Sequence, residues 1–213
     1  MTKSARFWSW IAPRYSRKPM ADMESYRTKL AITQRHFHRD MEVLELGCGT
    51  GGTAVEHAPH VAHIRAVDIS PRMIEIARKR ASEAGIENVD FEVSDIGELE
   101  LDDESQDAVL LLGLLHLVDD RDRLLQRVAH TLKPGGLIVS STACMRDGAN
   151  WIRPMVAVGH ALGLLPMVCL FSREELRESM IRAGFEIEHE WQPEGKNKAV
   201  FIIARKPDGD ATG

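Results

Sequence analysis

The stretch Met41–Ala58, MEVLELGCGTGGTAVEHA, does most to limit what this chain can become. An apolar run ends in four glycines within six residues, and a helix-like segment follows. Strand, glycine turn and helix, in that order, put backbone N–H groups at a helix start where they face a ligand. Glycine serves there because a turn of unusual φ and ψ, or a ligand pressed against the backbone, leaves no room for a Cβ. Gly47, Gly49, Gly51 and Gly52 satisfy G-x-G-x-x-G and equally G-x-G-x-G, so the spacing alone fits a dinucleotide as well as other ligands.

The same apolar run is the first of five. Strands are expected at Glu42–Leu46, Ile64–Asp68, Val89–Val93, Asp107–Leu112 and Gly136–Thr142. Segments such as AVLLL and LIVSS are apolar without alternation, as strands covered on both faces are. Helices are expected between them at Gly52–His57, Pro71–Ala84 and Asp120–Leu132. The second is sharply marked, with Ser70 as N-cap, Pro71 at the first helical position and Gly85 past the end. A further helix at Ser172–Ala183 leads into GFEIEHEW, a polar turn and AVFIIAR, which read as an antiparallel hairpin. The alternation predicts an α/β chain, a parallel sheet with helices on both faces. The last residues, 207–213, read as a disordered tail.

Composition bounds the partners. A chain of 213 residues suits one domain, 1–213, with a full core. A formal net charge of −5 counts against a general nucleic-acid binder, and none is expected as a partner. No apolar run approaches a membrane span, and the patch in residues 1–18 is too interrupted for a secretory segment. Cys48, Cys144 and Cys169 have no disulfide or zinc spacing, and the last two read as small core residues. The expectation is a cytoplasmic chain. His57, His60 and His63 are spaced by three, but Pro59 interrupts them and no Cys or carboxylate completes a set, so no metal is expected. Glu98–Asp107 reads as a solvated loop.

The neighbours of the glycines say more. Asp68 ends the second strand, where a carboxylate can take both hydroxyls of a ribose. Glu45 stands two residues before Gly47, badly placed for a pyrophosphate and well placed for a cation or ammonium. Asp95 follows the third strand, where it could accept from an adenine amino group. LKPGGLIV sets a Pro-Gly-Gly turn ahead of the fifth strand.

Together VLELGCGTGG, VDISPRMIEIARKRA, SDI, DAVLLLGLLHLV and LKPGGLIVSS closely resemble the class I S-adenosylmethionine-dependent methyltransferases over nearly the whole chain. The resemblance implies a doubly wound, Rossmann-like sheet of seven strands in the order 3-2-1-4-5-7-6, strand 7 antiparallel. It implies S-adenosyl-L-methionine as methyl donor and S-adenosyl-L-homocysteine as product. Gly47, Cys48, Gly49 and Gly51 would pack against the methionine and ribose part, with Glu45 near the ammonium. Asp68 would hold the ribose, Ile69 and Met73 would lie by the adenine, and Asp95 and Ile96 would bracket its amino group. Gly113 and Leu114 would meet the methionine end. Residues 1–40 resemble a helical cap, and Tyr15 in IAPRY matches a tyrosine that touches the cofactor's carboxylate end. The plainer reading makes Phe7, Trp8, Ile11 and Tyr15 one packed helical face.

His116, just past the fourth strand, is the candidate general base or pocket wall. Residues 146–171 carry an apolar helical face (Trp151, Met155, Val158, Leu162, Leu165) and are expected to cap the acceptor, or to form a homodimer contact. A lid rich in Met and Leu suggests a small, apolar or bulky acceptor, quinone-like or lipid-like. The alternatives are methylation of RNA or protein, which an acidic chain disfavours, and binding of the cofactor without turnover.

Overall fold

The computed structural model describes residues 2–144, 168–194 and 199–209. Helices α1 (Lys3–Arg17) and α2 (Met23–Gln34) precede β1 (Glu42–Leu46), α3 (Gly52–His57), β2 (His63–Asp68), α4 (Pro71–Glu83) and β3 (Val89–Val93). Then come β4 (Gln106–Leu112), α5 (Arg121–Thr131), β5 (Leu132–Ala143), α6 (Arg173–Arg182), β6 (Glu186–Trp191) and β7 (Ala199–Arg205). The strands form one seven-stranded sheet in the order β3-β2-β1-β4-β5-β7-β6, with helices on both faces. β7 alone runs against its neighbours, β5 and β6. This is the sheet that the resemblance implies. By its contacts the chain falls into two compact units, Met1–Glu100 and Leu101–Gly213.

In the first unit β2 pairs in parallel with β1 and β3, Ile64 lying opposite Val43 and Val89. Val43, Leu44 and Leu46 of β1 are fully buried, each worth about 1.5–3 kcal/mol of transfer from water. Helix α4 starts where its sequence signals say: the Ser70 hydroxyl accepts from Met73 N, and Pro71 opens the first turn. Met73, Ile74, Ala77 and Ala81, spaced three or four apart, form its buried face. Gly85, at φ 66°, closes it. Helix α1 packs on α4, burying Ala5 and Ala12, and the Ser9 and Ser70 hydroxyls meet at 2.9 Å.

In the second unit β4 and β5 are parallel, and Ala108–Leu111 are wholly buried. β5 begins at Leu132, four residues before the expected Gly136. The Pro-Gly-Gly turn lies within the strand pairing rather than ahead of it. Leu132 pairs with Gln106, the chain bulges through Lys133–Gly136, and pairing resumes with Leu137 opposite Ala108. Gly135 reaches φ 73° there, and a Cβ on Gly136 would lie 2.8 Å from the Lys133 carbonyl. Helix α6 starts in a capping box: Glu175 N donates to the Ser172 hydroxyl and Ser172 N to the Glu175 carboxylate. Val200–Ala204 of β7 are fully buried.

Residues 146–167 of the expected lid, 146–171, lie outside the described residues, as do residues 210–213 of the expected tail. Val168–Phe171 have no regular structure, and the buried Phe171 ring carries the Arg121 guanidinium 4.2 Å above it. Among the described residues no helix is long and apolar enough to cross a membrane.

Candidate active site

β1 delivers Glu45 and Leu46 to the glycine turn, and the turn is hung on β2. Gly47 N and Cys48 N both donate to the Val67 carbonyl, at 2.8 and 3.0 Å. Gly47, Gly49 and Gly51 all have positive φ, of 72°, 54° and 71°. The last two are there for different reasons. A Cβ on Gly51 would collide with Ala77 Cβ at 2.7 Å and with the Phe91 ring at 2.9 Å, so this glycine lets the loop sit on α4 and β3. A Cβ on Gly49 would meet nothing within 4 Å, so this one faces open space.

Asp68 is brought to that open side. Its carboxylate accepts from Gly49 N at 2.9 Å and from Ser70 N at 2.8 Å. Burial pushes its pKa up and these two bonds pull it back. Glu45 is more extreme: only 2% exposed, its Oε2 is buried with no hydrogen-bond partner among the described residues. Burial, helped by the Asp68 charge, raises its pKa to about 8. Cys48 is buried beside both acids, and its thiol is pushed well up by burial first and by the two carboxylates next. Two acids thus stand around one backbone loop, and a carboxyl oxygen of one of them has no protein partner among the described residues.

The remaining expected residues of this unit fall as follows. Met73 is buried and Ile69 half-buried at the start of α4. Asp95 and Ile96, half-buried past β3, form a tight turn in which Asp95 Oδ1 accepts from Gly97 N at 2.9 Å. Tyr15 lies near the end of α1 with 53% of its surface exposed. A residue missed in the sequence stands closer to the acids. Tyr26 of α2 is hydrogen-bonded to the Thr53 side chain and feels the charges of Glu45, Glu56 and Arg80. Its phenol is raised, by burial first. No motif marks it, since α2 reaches the glycine loop only through folding.

His57 is buried against Phe37, with ring centroids 5.1 Å apart, and burial lowers its pKa to about 3. His60 is exposed, and His63 lies between Glu42 and Asp90. Among the described residues no group of three or more His, Cys, Asp or Glu is arranged to hold a metal ion.

In the second unit Gly113 follows β4 at φ 74° and donates to the Ser141 carbonyl at 2.7 Å. Its missing Cβ too would meet nothing. Leu114 is buried at the start of a short 3-10 turn, Leu115–Leu117, that carries His116. The His116 carbonyl accepts from Cys169 N at 2.8 Å, while its ring Nδ1 is buried without a partner among the described residues. Burial lowers its pKa and so favours the neutral ring. Cys144 is buried and Cys169 half-buried.

A methyltransferase-domain family model matches residues 43–136. A ubiquinone biosynthesis O-methyltransferase of Xylella fastidiosa is 32% identical over 168 residues, 78% of this chain and 67% of that one. Among solved structures, the cyclase SpnF superposes with a TM-score of 0.71 at 21% identity, covering 84% of this chain and 80% of its own. A geranyl diphosphate C-methyltransferase of Streptomyces coelicolor, solved with its substrate, magnesium and S-adenosyl-L-homocysteine, gives 0.69 at 18% identity, covering 89% and 86%.

Proposed function

Since the chain belongs to the class I S-adenosylmethionine-dependent methyltransferases, we propose that it methylates a hydroxyl of a small, apolar, aromatic molecule, with Glu45 and Asp68 holding the methyl donor. The observation that carries the cofactor's placement is the orphaned, buried Glu45 carboxyl beside Asp68. S-adenosylmethionine has an ammonium and a sulfonium and no phosphate, and it supplies an electrophilic methyl group. A pyrophosphate would meet two acids at this loop; an ammonium finds in Glu45 the partner that the protein withholds. Gly49 leaves space for the ribose, whose hydroxyls Asp68 accepts, and Gly47, Cys48 and Gly51 shape the loop. Ile69, Met73, Asp95 and Ile96 wall the adenine, and Gly113 and Leu114 the methionine end. Tyr15 meets the cofactor's carboxylate end, and Tyr26, which feels the Glu45 charge, stands beside it.

The acceptor class rests on the O-methyltransferase relative. A phenolic hydroxyl ionises near pH 10, so attack near neutrality needs its proton removed. His116, neutral through burial, is the base that takes it as the new O–C bond forms and the S–C bond breaks. The fold cannot itself assign this reaction, being shared with a cyclase. Residues 146–171 are proposed to cover the acceptor.

The test is a thermal-shift titration with S-adenosylhomocysteine, S-adenosylmethionine and NADH, followed by methyl-label transfer to a panel of hydroxylated aromatics, an RNA and a protein mixture. We expect stabilisation by the adenosyl compounds alone, lost in Asp68→Ala, and label on the aromatics. His116→Ala should lower kcat about 100-fold or more. Label on RNA or protein alone would move the substrate class, and an unchanged kcat in His116→Ala would remove the base.

A further inference from the structure

The outer face of α1 has no place in methyl transfer. The inner face is accounted for: Ala5 and Ala12 are buried and Ser9 reaches Ser70. On the opposite side Lys3, Arg6, Trp10, Arg14 and Arg17 follow at spacings of three, four, four and three, and so form one row along the helix. All five are exposed, Trp10 to 79%, the highest among the exposed large apolar side chains. None of the four cations has an acidic partner among the described residues. Phe7 and Ile11, half-buried, flank the row, and exposed Met20 and Met23 follow it. The first 21 residues hold five of the chain's 27 Lys and Arg and none of its 32 Asp and Glu. A molecule that is net acidic over the rest of its length thus carries an acid-free cationic helix, with an indole in the middle of its charges.

We infer that α1 seats the protein on an anionic lipid surface, Trp10 entering the headgroup layer while Lys3, Arg6, Arg14 and Arg17 meet the acidic headgroups. Helices that lie in that layer are basic on their polar side and put Trp or Phe at the boundary, where an amphipathic ring is at home. The charge asymmetry favours this orientation, since the acid-free row is attracted to a negative surface while the rest of the chain is net negative. A nucleic acid fits less well. Bases need a groove with an aromatic platform to stack on, and the row stands on the convex side of one helix. This surface is independent of which acceptor the enzyme uses.

The test is flotation of the full-length protein with vesicles of phosphatidylcholine alone and of phosphatidylcholine with phosphatidylglycerol. The protein should float with the anionic vesicles only and be released at high salt. Trp10→Ala and the pair Arg14→Gln/Arg17→Gln should each lower partitioning about tenfold or more, and Lys3→Gln/Arg6→Gln likewise. Lys79→Gln on α4, equally exposed but off the row, should change nothing. These side chains are exposed, so unaltered melting of each variant shows that folding is intact. Failure to float with either vesicle, equal floating with both, or indifference to the row variants would overturn the inference. So would displacement of bound vesicles by a single-stranded oligonucleotide.

Discussion

At the scale of single residues, the acids were legible and the tyrosine was not. Glu45 and Asp68 stand at fixed offsets from a glycine turn, and the chemistry of a carboxylate at a strand end could be argued before any coordinates. Tyr26 comes from a helix whose approach to the loop is decided by packing, and no local pattern reports that. Glu45 gives a pH prediction with a definite sign. Its folded pKa of about 8 lies above the ordinary 4.5, so folding favours the protonated form. Below pH 4.5 the group is protonated in both states and its contribution to stability is fully present; that contribution is lost as pH rises towards 8. Chemical denaturation of the ligand-free protein should therefore show stability falling across this window relative to Glu45→Gln, by on the order of a few kcal/mol. S-adenosylhomocysteine should bind more tightly over the same window in the wild type, because its ammonium favours the ionised carboxyl, and this gain should be absent from Glu45→Gln.

At the scale of elements, sequence reading succeeded where ends carry chemical signals. Ser70, Pro71 and Gly85 mark α4 to within one residue, and the helix expected at Ser172–Ala183 runs from Arg173 to Arg182, opened by a capping box that the structure shows. It failed at the start of β5, because Leu132 joins the sheet through pairing with Gln106 across a bulge, and such a partner is invisible to local propensity. The glycine turn also hides two functions behind one letter. Gly51→Ala puts a Cβ into Ala77 and a left-handed φ on alanine, and should cost about 2–4 kcal/mol in denaturant melts. Gly49→Ala meets open space, so it should cost about 1–2 kcal/mol of stability while weakening S-adenosylhomocysteine at least tenfold by titration. Equal losses of stability in the two variants would contradict the division of labour between these glycines.

At the scale of the whole molecule, the strand order was legible only through the family resemblance, since parallel neighbours are set by crossovers and not by adjacency in the chain. Once formed, the sheet has a graded interior: β1, β4, β5 and β7 are buried along most of their length, whereas β3 buries only Phe91 and β6 has exposed and half-buried positions throughout. Native-state hydrogen exchange should follow that grading, slowest in β4, β5 and β7 and fastest in β3 and β6. Those two outermost strands also carry the acids Asp90 and Glu92 at one end of the order, and Glu186, Glu188 and Glu190 at the other. Most of these acids are already engaged, Asp90 by His63, Glu92 by Arg65, Glu188 by Arg205 and Glu190 by Arg173. Each margin is thus laced with paired charges that a second sheet would have to strip away before it could zip alongside, which guards the molecule against fibre growth.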